Sequence, residues 1–273
     1  MRLMAQQIEL NNNVNLAYTG PIYFGTPLQE GQNPEFVYDT GSGYLTTTST
    51  SCYDCNSQYY DPTSSETARV VSSSTKKLEY GSASLTGYMG SDEVCLNNNT
   101  CVSDFEFFVI TSQSGLNGND GILGMSPSDK ANGPSYIKAL KDQGVIDKST
   151  ATFWLNYFGE QDSYVFFGET PRQYSKGEVF TQKLYERYDQ WWTVKMHNVE
   201  YGGDSIKDSG IGYAILDTGT SLLYLGVEDY INFANKLLED VPAGALNCNK
   251  NIYCYSNSHT CEELAPYMKP LTI

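Results

Sequence analysis

Phe36-Val37-Tyr38-Asp39-Thr40-Gly41-Ser42 and Ala214-Ile215-Leu216-Asp217-Thr218-Gly219-Thr220 are two copies of one pattern. In each, three apolar or aromatic residues run into Asp-Thr-Gly and then a hydroxyl residue. An apolar run read as a strand, ending in Asp and Gly, sets a carboxylate at the lip of a buried sheet. At average residue usage a given tripeptide recurs by chance about once in several thousand positions. A lone Asp-Thr-Gly reads as an Asx-type turn after a strand. Two copies with matching flanks, 178 positions apart, read as two halves of one site.

Working outward, the chain of 273 residues is long enough for one large or two modest domains with real cores. No apolar stretch reaches the length needed to cross a bilayer, so no membrane span is expected. Met1-Arg2-Leu3-Met4 runs straight into polar residues, unlike a signal peptide. A net charge of −15, from 32 acidic against 17 basic residues, argues against a nucleic-acid partner, where a basic patch should track the phosphates. Such a surface serves solubility. It also suits an acidic compartment, where carboxylates lose charge.

Seven cysteines stand at 52, 55, 95, 101, 248, 254 and 261, in local clusters that suggest short disulfide loops in an oxidising compartment. Cys95 and Cys101 flank the turn-rich Asn97-Asn98-Asn99-Thr100, as a staple across a hairpin end would. Asn98-Asn99-Thr100 also fits the N-glycosylation pattern, which agrees with export. Cys52-x-x-Cys55 as half a zinc site is disfavoured: only His197 and His259 could join, and no second pair has finger-like spacing. No metal and no cofactor are expected. An odd count leaves one cysteine unpartnered.

Along the chain, residues 18–45 alternate apolar runs with Gly and Pro, as β-hairpins do. Residues 46–76 are rich in Ser and Thr and read as exposed loops and short strands. Leu78 to Tyr88 has two β-prone arms around a small-residue tip, a hairpin able to project. Phe105–Ile110 and Asp120–Met125 read as strands. Ser135 to Gln143 has helical spacing, with Gly144 as its stop. Strands follow at 152–157 and 163–167, and the pattern breaks around Glu169-Thr170-Pro171. A second helix is expected over 228–238. The expected fold is mostly β with a few short helices, in two lobes over 18–170 and 171–273. Residues 1–17 read as a prosegment tail or an N-terminal strand.

Two Asp side chains at close range do not easily both ionise. One proton is shared, and one apparent pKa rises while the other falls. The ionised carboxylate can take a proton from a water held between them, while the protonated one hydrogen-bonds a substrate carbonyl. That is general acid–base hydrolysis of an amide without a covalent intermediate. The motif glycines let the turns approach closely and leave backbone N–H groups for the carboxylates. Ser42 and Thr220 supply hydroxyls for the same purpose.

With Gly25-Thr26-Pro27-x-Gln29, Asp39-Thr40-Gly41-Ser42, Tyr80-Gly81-Ser82, Asp120-Gly121-Ile122-Leu123-Gly124 and Asp217-Thr218-Gly219-Thr220-Ser221 in this order, the chain resembles the pepsin-like aspartic endopeptidases from about Tyr18 to Ile273. The resemblance implies a bilobal acid-protease fold made as a zymogen and secreted or delivered to a lysosome or vacuole. It implies a monomer that cleaves proteins or peptides between bulky apolar residues at acidic pH. Asp39 and Asp217 would be the catalytic pair, and Tyr80, with Ser82, the flap over bound peptide. Gly41, Gly219, Ser42, Thr220, Val37, Ile122 and Trp191 would contact substrate, and Cys52–Cys55 would be the small loop after the first Asp. A non-catalytic peptide-binding or inhibitor protein on the same fold is the alternative. Such proteins usually lose an Asp, a motif Gly or the flap Tyr, all of which are present here. A Ser-His-Asp site lacks the Gly-x-Ser-x-Gly elbow, and a calcium site lacks further oxygens around the pair.

The departures from the family pattern carry expectations of their own. Leu45-Thr46 stands where the family commonly has a Trp that bonds the flap Tyr. Ala83 replaces a frequent Gly at the flap tip and restricts its backbone. Asn119 stands where an aromatic often lines the pocket, implying a more polar one. No counterpart of Ile122-Leu123-Gly124 follows Asp217, so the second lobe is expected to be truncated, with the partner of one of Cys248, Cys254 and Cys261 missing. Expected, then, is peptide hydrolysis by the full-length product and none by these 273 residues alone. Normal turnover by the purified 273-residue chain, lost on Asp217→Asn, refutes that.

Overall fold

The computed structural model describes residues 5–29, 33–127, 133–175, 177–208, 210, 212–249 and 253–273. The Met1–Met4 stretch read above lies outside them. The chain divides into two compact units, Met1–Trp192 with Ile215–Ser221, and Thr193–Ala214 with Leu222–Ile273.

The first unit is built on an 11-stranded sheet. Its strands are β1 (Gln6–Asn13), β2 (Ala17–Gly20), β3 (Tyr23–Phe24), β4 (Phe36–Asp39), β5 (Leu45–Thr48), β6 (Arg69–Glu79), β7 (Ser84–Asn97), β8 (Thr100–Ser114), β9 (Gly121–Gly124), β10 (Ala151–Trp154) and β11 (Ser163–Phe167). They lie in the order β10-β11-β1-β2-β4-β9-β5-β8-β7-β3, with β6 added to β7. β4 runs parallel to β9, pairing Phe36 with Gly121 and Asp39 with Gly124. The strand that ends in the first Asp is thus held between β2 and β9. Its apolar residues explain this: Phe36 and Tyr38 are fully buried. Phe24, Phe36, Tyr60 and Phe107 form the aromatic centre of the core, with Phe24 and Phe107 rings 4.8 Å apart. Tilted ring pairs at this spacing add to the burial of apolar area.

Two readings of 46–76 are corrected. Thr46-Thr47-Thr48 is not an exposed loop but a fully buried central strand, between β9 and β8. Threonine suits it because its branched side chain fits a pleated surface and its hydroxyl finds partners inside the sheet. Thr46 Oγ1 accepts from the Ile122 N–H at 3.1 Å, and Thr47 Oγ1 donates to the Thr48 carbonyl at 3.1 Å. At the other end, β6 is a strand of 11 residues rather than several short ones, and it is mostly exposed.

Helix α1 (Tyr136–Asp142) starts at Ser135, whose side chain caps the Lys138 N–H, and it buries Ile137 and Leu140. The second unit holds α2 (Val227–Asp240), the short α3 (Cys261–Leu264) and small β ribbons. Its core gathers Val199, Tyr201, Ile206, Leu237, Val241, Leu246 and Leu264. Tyr201 and Phe233 meet edge to face at 5.2 Å.

The close approach of β4, β9 and β5 gives a stability test. A Cβ at Gly121 would lie 1.9 Å from the Thr46 carbonyl oxygen and 2.6 Å from the Phe36 ring, whereas one at Gly81 would meet nothing within 4 Å. Gly121→Ala should lower the unfolding free energy by about 3 kcal/mol, and Gly81→Ala should change it by less than about 0.5 kcal/mol, both read from denaturant midpoints of this chain.

Candidate active site

Both Asp-Thr-Gly copies belong to the first unit. The first turn leaves β4 at Asp39 and is supported from beneath by β9 and the residues after it. The Met125 N–H donates to the Asp39 carbonyl at 2.8 Å, and the Ser126 N–H to the Ser42 carbonyl at 2.9 Å. Asp120, at the head of β9, is a structural acid. It accepts from the Glu35 N–H at 2.7 Å and from the Ser57 hydroxyl, so it ties the entry of β4 to the Cys52–Cys55 loop.

The second turn is reached through Trp192. Its indole N–H donates to the Met125 carbonyl at 2.7 Å, while its own carbonyl accepts from the Leu216 N–H at 3.0 Å. The residue ahead of Asp217 is thereby pinned beside the residue that supports Asp39.

The threonines of the two motifs then bind each turn to the other. The Thr40 N–H donates to Thr218 Oγ1 at 3.0 Å, and the Thr218 N–H to Thr40 Oγ1 at 2.9 Å. Each hydroxyl passes its proton across: Thr40 Oγ1 donates to the Leu216 carbonyl at 2.8 Å, and Thr218 Oγ1 to the Tyr38 carbonyl at 2.6 Å. Sequence reasoning did not single out Thr40, Thr218 or Trp192. The signal for the threonines was present in their equivalent places in both copies. For Trp192 no local pattern set it apart from the adjacent Trp191.

This lattice sets the two carboxyl groups against each other's glycine. A Cβ on Gly41 would fall 2.4 Å from the Asp217 carboxyl, and one on Gly219 would fall 2.3 Å from Asp39 Oδ1. Asp39 Oδ1 accepts from the Gly41 N–H at 2.9 Å and Asp217 Oδ1 from the Gly219 N–H at 2.8 Å. The hydroxyls behave unequally. Thr220 Oγ1 donates to Asp217 Oδ2 at 2.6 Å. Ser42 Oγ is buried and completes no well-formed hydrogen bond among the described residues. It still lies near enough to the Asp39 carboxyl and the Tyr80 hydroxyl to hold the pKa of each down.

Asp39 is 7% exposed. Burial pushes its pKa up from 3.8 to about 7, and the Asp217 carboxyl adds to the rise by charge and by hydrogen bonding, against the lowering by Ser42 and the Gly41 N–H. The Tyr80 hydroxyl is raised as well, first by burial and then by the charge of Asp39.

Tyr80 sits on the β6–β7 hairpin, whose tip is closed by its N–H bonding the Ala83 carbonyl at 2.7 Å, with Gly81 and Ser82 exposed at the turn. Val37 and Ile122 pair across β4 and β9 and pack, with Tyr44 and Tyr80, around a cluster that includes Leu85, Phe108 and Leu116. Trp191 lies in the turn that its N–H closes on Tyr188, and Trp192 makes the contact with the Asp39 support. Asn119 turns its amide back onto the Leu116 carbonyl at 2.8 Å. The disulfides are Cys52–Cys55, Cys95–Cys101 and Cys248–Cys254, and Cys261 is free and exposed.

A family model described as eukaryotic aspartyl protease matches residues 17–262. The chain belongs to this family. Among curated proteins it is similar to a pregnancy-associated glycoprotein of Equus caballus, 32% identical over 232 residues that are 81% of this chain and 58% of that protein. It is 31% identical to phytepsin of Hordeum vulgare over 79% of this chain and 44% of that protein. It is 33% identical to vacuolar protease A of Neurospora crassa over 80% of this chain and 55% of that protein. The chain thus spans about half the length of the curated relatives it matches. A solved structure, the aspartic proteinase from Irpex lacteus, superposes with a TM-score of 0.72 at 20% identity, covering 91% of this chain and 70% of that one, and has the same fold.

The protonation of Asp39 is measurable through stability. Its pKa is raised on folding, so between about 4 and about 7 the folded state binds a proton that the unfolded state has released. Stability should therefore fall as pH rises through that window. Asp39→Asn, which cannot ionise, should flatten this part of the profile in urea titrations across pH, and an unchanged slope contradicts the raised pKa.

Proposed function

We propose that the full-length protein is an aspartic-type endopeptidase with Asp39 and Asp217 as its catalytic pair. The observation that carries this reading is the reciprocal packing of each carboxyl against the other motif's glycine. It supports two acids close enough to share one proton, in a site where burial keeps the Asp39 pKa high. In the working state one carboxyl holds the shared proton and the other is ionised. The ionised group removes a proton from a water lying between them, and that water attacks the scissile carbonyl. The protonated group donates to the carbonyl oxygen as it becomes tetrahedral, and a proton is then delivered to the leaving amine. The N–H groups of Gly41 and Gly219 and the Thr220 hydroxyl orient the carboxyls for this exchange.

Substrates are proteins or peptides, bound extended across the Asp pair with bulky apolar residues at the cleaved bond. Tyr80 and Ser82 belong to the closing hairpin, and Val37, Ile122 and Trp191 to the walls. The pair of disulfides in the first unit supports an oxidising compartment, and we place the protein outside the cell or in a lysosome or vacuole, as a monomer made with a prosegment.

The test is hydrolysis of a hydrophobic peptide by the full-length, processed protein. Asp39→Asn and Asp217→Asn should each lower kcat/KM at least about a thousandfold. Pepstatin should block the wild type. Activity should fall as pH rises through about 7, where the shared proton of the Asp39 site is lost. Pepstatin-insensitive cleavage, or none at any acidic pH, overturns the proposal.

A further inference from the structure

Asn98-Asn99-Thr100 is the single Asn-x-Ser/Thr sequence in the chain, and the chemistry of the Asp pair makes no use of it. A three-residue match alone is weak, because many such sequences fall where no enzyme can reach them. Here the fold presents it. Asn98 and Asn99 form the exposed turn between β7 and β8, with Asn97 and Thr100 paired across the hairpin. Cys95–Cys101 staples the strands just below, with Cα atoms 4.0 Å apart. Asn97 Oδ1 accepts the Asn99 N–H at 3.0 Å and so shapes the turn. The Asn98 side chain projects from it with no partner among the described residues.

Thr100 is placed differently. It is 2% exposed, and its hydroxyl donates to Gln6 Oε1 of β1 at 2.9 Å. The hydroxyl that completes the acceptor sequence is therefore sealed once β1 joins the sheet, while the acceptor amide stays outside.

We propose that Asn98 carries an N-linked glycan, attached to the nascent chain before the sheet closes over Thr100. The Asn98 amide nitrogen attacks the anomeric carbon of an oligosaccharide carried on a polyprenyl diphosphate. The C–N bond forms, the bond from that carbon to the phosphate oxygen breaks, the polyprenyl diphosphate leaves with the electron pair, and the amide gives up one proton. β7 has 14 residues between this turn and the Tyr80 hairpin, which is on the order of 45 Å of strand at about 3.3 Å per residue. The glycan stands at the far end of that strand from the Asp pair and leaves peptide access open. The inference rests on the proposed export of the protein.

The test delivers the full-length coding sequence to the secretory lumen of eukaryotic cells behind a heterologous signal peptide, so that its outcome is independent of the native address and of activity. Expected is one mobility step removed by peptide-N-glycosidase, with peptide mapping of the wild type placing the resulting Asp at position 98. Asn98→Gln should lack the step and keep the wild-type rate of peptide hydrolysis. Folded full-length protein made without glycosylation should stay unmodified when given microsomal transferase and its lipid-linked donor. Secreted wild type with an intact Cys95–Cys101 bond and no glycan at Asn98 overturns the site. Efficient modification of the folded protein overturns the timing.

Discussion

The exchange of hydrogen bonds between Thr40 and Thr218 is the constraint on which the site depends. Four bonds of 2.6 to 3.0 Å join two backbone N–H groups, two hydroxyls and the Tyr38 and Leu216 carbonyls in a closed arrangement. Each bond is worth about 1 kcal/mol net, and a buried group left without its partner would cost more. The arrangement works only with a side chain that donates and accepts from one atom, on a backbone that an adjacent glycine lets come close. Valine has the shape of threonine and neither function. With the turns locked, neither carboxyl can retreat from the other.

Among its described residues the first unit buries three acids, and it treats them in different ways. Asp92, fully buried, accepts from the hydroxyls of Tyr60, Ser65 and Thr67 at 2.8, 2.9 and 2.5 Å and from the Glu93 N–H at 2.8 Å. Asp120 accepts from a backbone N–H and a serine. Both serve to hold strands and loops in register. Asp39 has one backbone N–H, a hydroxyl that falls short of a good bond, and another carboxyl in front of it. Burial raises its pKa, with the Asp217 carboxyl adding to the rise against the lowering by Ser42 and the Gly41 N–H.

Much of this was legible in the chain. The apolar run ahead of Asp39 indicated a buried strand, and Phe36 and Tyr38 are buried. The Ser135 start and Gly144 stop bracketed α1 closely. Less legible was the strand Thr46-Thr47-Thr48, because hydroxyl residues look like loop until the sheet around them supplies their partners. The second copy was also misleading in its likeness to the first. Its Ile215 and Leu216 are 43% and 60% exposed. The strand Tyr213–Ile215 pairs with Thr193–Lys195, and among the described residues nothing lies beside it as β9 lies beside β4.

The sequence by itself determined that each of two apolar runs would lead into an Asp-Thr-Gly turn, because these are local properties of short segments. Their packing against each other's glycine was decided by the tertiary structure, as was the unequal support from Ser42 and Thr220. So was the exposure of Asn98 beside a sealed Thr100. Each of these depends on residues far apart in the chain, brought within hydrogen-bonding distance by strand order and register, and no local pattern encodes those distances.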